Sequence, residues 1–229
     1  MVTPPPIVTV VAHNLWKLAL LGQVLDRAEA AAVPLVVLKG AALLDWVYDT
    51  HERSMSDIDV LVRPEDCGRL AAALEVSLPE PVYRRPPPSL SLFPHEPLAE
   101  FTCDFKGLSL DVHLALLTPY WVTRILAIDT NGLWERAAPF AVAGRSALRL
   151  SQEDQVVHLG GHAMLHHFEG YGNYSGDPTE DVRRVITRLD PKWDRVVALA
   201  TDQRLRTATW LALSADSLSD VVPGWVMKK

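Results

Sequence analysis

Two aspartates one residue apart, Asp57 and Asp59 in the run SDIDVLV, open a stretch that otherwise reads as a buried strand. Strand interiors disfavour Asp, and the side-chain period of two sends both carboxylates to the same face. Two negative charges held side by side repel unless a cation lies between them. Upstream, LVVL at residues 35 to 38 ends in Lys39-Gly40, and downstream Asp111 sits in LSLDVH. A glycine between a strand and a helix lets backbone N–H groups and the positive helix end approach a phosphate. Carboxylates on neighbouring strands can hold magnesium, which prefers oxygen ligands and keeps bonds to substrate phosphates. The combination describes a nucleotide-phosphate site.

The elements that must position these residues follow from periodicity. Apolar residues at helical spacing from about Val8 to Ala32 (Leu15, Leu18, Leu21, Val24, Leu25, Ala28) predict a long amphipathic helix. After the buried strand at 35 to 38, AALLDWVY predicts a helix directly behind Gly40. The polar link THERSM leads into SDIDVLV, and Pro64 with Glu65 and Asp66 starts a further helix to about Val76. The proline-rich segment PEPVYRRPPPSLSLFPHEP is read as a surface loop. EFTCDFKGLSLDVHLAL is a hairpin about Lys106-Gly107, with Ser109, Asp111 and His113 on one face of its second strand. Beyond residue 120 the pattern is helical apart from a short strand near PFAVAGRSALRL. Ser151 with Asp154 caps a helix through QEDQVVHLGGHAMLHHF, two more helices follow Asp177-Pro178 and Asp190-Pro191, and a last one covers 203 to 219.

The quoted residues resemble a known family. LKGAALLDWVYDTHERSMSDIDVLVRPED followed by LDVH looks like the nucleotidyltransferase superfamily of DNA polymerase beta, whose signature is a glycine turn, an Asp-x-Asp strand and a third carboxylate. The Lys-Gly-Ala turn, the Arg before the Asp pair and the helix with HLGGHAMLHH resemble the bacterial uncharacterised nucleotidyltransferases more closely. The resemblance spans about residues 10 to 190. It implies an α/β (α+β) fold: residues 1–120 as an N-terminal helix and a catalytic core with a mixed sheet flanked by helices, and 121–229 as a mainly helical C-terminal region.

The activity implied is magnesium-dependent transfer of a nucleoside monophosphate from an NTP to an acceptor hydroxyl or similar group, with release of pyrophosphate. Manganese is the substitute metal and ATP the default nucleotide. Asp57 and Asp59 would ligate the metal, while Asp111 would complete the site and help deprotonate the acceptor. Gly40 would admit the triphosphate, with Lys39, Arg53, Ser56 and Asp181 as further nucleotide contacts. One departure from the superfamily stands out: its usual Gly-Ser turn becomes Gly40-Ala41, so a hydroxyl donor is missing and Lys39 and Arg53 are the cationic replacements. That departure motivates the alternative of a degenerate nucleotide-binding regulatory module. A toxin-type enzyme acting on tRNA or protein is the other alternative.

His158, His162 and His166 share one helix face but lack an HExxH glutamate, so they are read as lining or supporting the cleft rather than binding zinc. Gly170, Gly172 and Gly176 lack dinucleotide-binding spacing and are read as a flexible loop, and Arg84, Arg85 and His95 are read as ordinary surface charge.

Composition limits the partners. With 28 acidic against 22 basic residues and a net charge of -6, no broad polyanion-binding surface is expected, so a small acceptor is favoured over nucleic acid. Cys67 and Cys103 lack metal-ligand spacing and read as reduced thiols of a cytoplasmic protein. The tract AAAVPLVVLKGAALL is broken by Pro34 and Lys39, so no membrane partner is expected. The oligomeric state is open.

Overall fold

The computed structural model describes residues 7–78, 99–117, 126–169 and 178–228, with the side chains of 165–169 and Pro178 left aside. The proline-rich segment with Arg84, Arg85 and His95, the glycine-rich loop from Gly170 to Gly176, and the side chain of His166 lie outside that description. By contact density the chain divides into two compact units, Met1–Trp121 with Ala137–Arg149, and Val122–Arg136 with Leu150–Lys229.

The first unit is built on a six-stranded mixed sheet. Helix α1 (Ile7–Ala30) precedes β1 (Val36–Leu38), α2 (Lys39–Leu43), β2 (Ile58–Leu61), α3 (Cys67–Leu74), β3 (Glu100–Phe105) and β4 (Leu108–His113). The hairpin β5 (Ala138–Val142) and β6 (Arg145–Arg149) completes the order β3-β4-β2-β1-β6-β5. β1 runs antiparallel to β2 and parallel to β6, β2 runs parallel to β4, and both hairpins are antiparallel. Val36, Val37 and Leu38 are fully buried at the centre, as a continuous apolar strand requires. Each contributes about 1.5–3 kcal/mol by leaving water.

Several elements differ from the sequence reading. The predicted helix after Gly40 is only the five residues Lys39–Leu43. Leu44 turns extended, Asp45 adopts φ 59°, and Leu44 bridges Tyr48, so the aromatic and β-branched stretch Trp46, Val47, Tyr48 closes a turn instead of extending a helix. Strand β2 begins at Ile58, which leaves Asp57 in the bend before it. The one short strand expected near residues 139–150 is a two-stranded hairpin, and β6 joins β1.

The face of α1 also differs. Leu15 and Trp16 are 56% and 44% exposed, whereas Asn14 and Lys17 are buried. The true seam runs Asn14, Leu18, Leu21, Leu25, Ala28, a 4-3-4-3 spacing that Leu15 does not fit. By length and composition α1 could cross a bilayer. Its polar pair instead bonds to backbone of the first unit, which a span in lipid would forgo.

The second unit is helical: α4 (Thr130–Arg136), α5 (Gln152–Glu169), α6 (Pro178–Leu189), α7 (Trp193–Asp202) and α8 (Arg206–Leu213), with two short 3-10 turns after it. Ser151 caps α5 by accepting the Asp154 N–H at 3.1 Å. Asp154 also takes a two-point bond from Arg136 at 2.9 and 3.0 Å. The last helix, expected over 203 to 219, is shorter because Arg204 turns left-handed at φ 58° before α8 and a 3-10 turn at Asp216–Leu218 follows it.

Candidate active site

Asp59 is the centre of the site. It faces Leu38 of β1 on one side and Asp111 of β4 on the other, so sheet register alone sets the two carboxylates on the same face of adjacent strands. The Asp59 side chain is 5% exposed, and its Oδ1 accepts a hydrogen bond from Lys39 Nζ at 2.7 Å. His113 Nε2 lies 3.0 Å from the same oxygen. Burial alone would push the Asp59 carboxyl up, but the Lys39 charge and the His113 contact outweigh it and hold it well below the usual carboxylate range. Asp59 is therefore ionised across the physiological range.

Asp111 moves the other way. Burial raises its pKa, the charges of Asp59 and Asp57 add to the rise, and the hydrogen bond it accepts from Thr102 Oγ1 at 2.7 Å offsets part of it. Two carboxylates in register thus differ in basicity because Asp59 is bonded directly to the Lys39 ammonium, whereas the hydrogen bond to Asp111 comes from the neutral Thr102 hydroxyl. Asp57 is half-buried in the bend before β2.

Lys39 reaches Asp59 through an unusual backbone. As the first residue of α2 it has φ 45°, the left-handed region that costs a non-glycine residue on the order of 1 kcal/mol or more. That conformation breaks the strand alternation and turns its ammonium onto the Asp59 face. Gly40, by contrast, needs no positive φ. A Cβ there would collide with Arg53 Nη1 and would stand 3.3 Å from Arg53 Cζ and 3.1 Å from Met55 Cγ. The glycine lets the Arg53 guanidinium, the far end of a flexible side chain, lie against this turn, and its own backbone is not left-handed. The guanidinium also lies 6.0 Å from the Tyr48 ring centroid. Ser56 is exposed, and its carbonyl accepts from Lys17 at 2.8 Å.

Contacts and register thus join Lys39, Asp59 and Asp111, the Arg53 guanidinium lies against Gly40, Asp57 stands within the field of Asp111, and Ser56 is at the surface. Asp181 belongs to the second unit, in the first turn of α6. In that unit His158 is fully buried and its ring centroid is 6.0 Å from that of His162, so the expected polar face is in part core. Five residues of the site surroundings had no assigned role in the sequence: Asn14, Lys17, Thr102, His113 and Glu100, whose Oε2 lies 3.2 Å from His113 Nδ1. The alternation of EFTCDF, with the hairpin register, places Thr102 beside Asp111.

Among the described residues no three His, Cys, Asp or Glu side chains stand close enough to hold a metal by themselves. Magnesium asks less: one or two carboxylates, with water and phosphate oxygens at its other positions. Asp59, held ionised, and Asp111 in register with it are hard oxygen donors of the kind that it prefers.

Comparisons with known proteins bear on the family and the fold. A family model described as uncharacterised nucleotidyltransferase matches residues 7–215. The solution structure of the antibiotic-resistance factor ANT(2'')-Ia is similar in fold, with a TM-score of 0.53 at 19% identity over 84% of this chain and 93% of that one. The crystal structure of ANT(2'')-Ia in complex with adenylyl-2''-tobramycin gives 0.53 at 19% identity, covering 83% and 98%. No curated protein matches the chain.

Proposed function

The chain belongs to this nucleotidyltransferase family, and from that premise we propose that it transfers a nucleoside monophosphate from an NTP, ATP by default, to a hydroxyl of a small-molecule acceptor, releasing pyrophosphate. The observation that carries the reading is the register pair Asp59 and Asp111, one held ionised and the other made more basic, with Lys39 at the end of the neighbouring strand.

Asp57 and Asp59, with Asp111, would hold magnesium, which when bound polarises the phosphates and screens the charge that develops on the leaving group. Lys39 and Arg53 bring a point charge and a planar fork to the triphosphate, standing in for the hydroxyl that Ala41 lacks. Asp111, the more basic carboxylate, accepts the acceptor hydroxyl's proton as its oxygen attacks the α-phosphorus. The P–O bond to pyrophosphate breaks as the new ester bond forms, so the proton and the leaving group are both accounted for. Asp181 is proposed as a nucleotide contact, and the protein is proposed to work in the cytoplasm. A small acceptor is supported by the acidic net charge of -6 and by the fold shared with ANT(2'')-Ia, whose complex holds an adenylylated tobramycin.

The test is equilibrium binding of each labelled triphosphate with and without magnesium, followed by incubation with hydroxyl-rich small molecules and with cell extract. Magnesium-dependent binding should weaken on the order of a hundredfold in Asp57→Asn with Asp111→Asn. A labelled product that resists protease and ribonuclease is expected. Binding that is absent, or indifferent to both substitutions, would sink the enzymatic reading, whereas a product destroyed by ribonuclease or protease would move the acceptor to RNA or protein. Asp59 is left intact in this test because its buried carboxylate is bonded to Lys39 and lies against His113, so its replacement would disturb the fold as well as the site.

A further inference from the structure

Helix α1 buries two polar side chains where packing alone would favour leucine. Asn14 is 0% and Lys17 8% exposed, on the same seam as Leu18, Leu21 and Leu25. Burying an amide or an ammonium costs several kcal/mol unless its bonds are made. Both sets of bonds go to one segment, residues 50–56. Asn14 Nδ2 donates to the carbonyls of Thr50 and Arg53, each at 2.7 Å, and its Oδ1 accepts the Met55 N–H at 3.3 Å. Lys17 Nζ donates to the carbonyl of Met55 and, at 2.8 Å, to that of Ser56.

That segment has no helix or strand of its own to fix it. It nevertheless carries Arg53, whose guanidinium packs on Gly40, and it delivers the chain to Asp57 and Asp59. We propose that Asn14 and Lys17 are positioning residues of the nucleotidyl-transfer site: they tie residues 50–56 to the rigid seam of α1 and so set Arg53 and Asp57 against the Lys39-Gly40 turn. The proposal rests on the nucleotidyltransferase reading above. The structural logic is that of a preorganised site, in which side chains that touch the substrate are held by groups that do not. Apolar residues at 14 and 17 would keep the helix and lose the tether.

The experiment uses the full chain and four variants: Lys17→Met, Asn14→Ala, the conservative Lys17→Arg, and Leu15→Ala as an exposed control on the same helix. Hydrogen–deuterium exchange across peptides spanning 50–57 is read beside magnesium-dependent binding of a non-hydrolysable ATP analogue. Lys17→Met and Asn14→Ala should each speed exchange in 50–57 about tenfold while β3–β4 is unchanged, and weaken binding about tenfold. Lys17→Arg should recover most of both effects, and Leu15→Ala should match the wild type. Either tether variant alone suffices if the other fails to fold. Exchange that rises evenly across the first unit, or a loosened segment with binding at the wild-type level, overturns the positioning role. A wild-type chain that binds no nucleotide with magnesium overturns the underlying functional reading instead, whatever the exchange shows.

Discussion

Asp59 and Asp111 sit on adjacent strands with the same side chain and opposite electrostatics, and the difference comes from their neighbours. Lys39 and His113 converge on Asp59, whereas Asp111 has its burial and the charges of Asp57 and Asp59 against it, offset in part by the Thr102 hydroxyl and, more weakly, by His113. A carboxyl whose native pKa is raised binds its proton more tightly when folded, so its ionisation destabilises the fold. The contribution of Asp111 to stability is fullest below its ordinary value of 3.8 and falls as pH rises through the raised native value. Asp111→Asn imitates the protonated form and keeps an oxygen for Thr102. The metal-free variant should therefore melt about one to three degrees above wild type at pH 7, with the difference vanishing near pH 3, while losing turnover. Thermal unfolding at the two pH values decides it: a variant less stable than wild type at pH 7 would show that Asp111 is not electrostatically strained.

At the scale of elements, the turn from β1 into α2 is held by what lies beside it. Gly40→Ala gains up to about 1 kcal/mol of helix propensity but drives a methyl group into the Arg53 guanidinium. The guanidinium is the far end of a flexible side chain and can move, so the cost lies at the low end of the about 1–3 kcal/mol of overpacking, and what is lost is the place of Arg53 beside the turn. The denaturant midpoint should fall only slightly, and in Gly40→Ala with Arg53→Ala much of the loss should return, because the double change removes the collision. A double variant as unstable as the sum of the two would deny that Arg53 is the reason for the glycine. The contrast also shows what local sequence can encode. Asp57, Asp59, Asp111 and the Lys39-Gly40 turn were legible because carboxylates inside apolar runs are anomalies of type and period. The Lys106-Gly107 hairpin was legible because both turn residues take positive φ, 57° and 85°. The burial of Asn14 and Lys17 was not, since residue type argues for exposure and only their partners 36–41 residues away compensate them. Nor was the end of α2 at Leu43, where a backbone closure onto Tyr48 overrides helical periodicity.

For the whole molecule, the decisive pairing is also the least local one. The chain leaves the first unit after residue 121, returns for residues 137–149, and leaves again. That return supplies β6, the parallel neighbour of β1 across Val36–Leu148 and Val37–Arg149. It also brings Arg149 to 3.5 Å above the Trp46 ring and Arg145 into a two-point ion pair with Asp26 at 2.9 and 2.8 Å. Without it the fully buried strand Val36–Leu38 becomes a sheet edge with apolar side chains and unpaired amides open to water, a template for association with another chain. A sequence boundary near residue 120 therefore does not coincide with the limit of the catalytic sheet, and a fragment cut there should not fold alone. The chain ending at 121 should show no cooperative thermal transition and should aggregate on gel filtration, whereas the chain ending at 149 should be monodisperse and melt cooperatively. Stability of a domain this size is only about 5–15 kcal/mol, so losing one flanking strand of the central β1 is enough to decide the outcome. Cooperative melting of the shorter fragment at the same temperature as the longer one would show that β1 and β2 carry the sheet without β6.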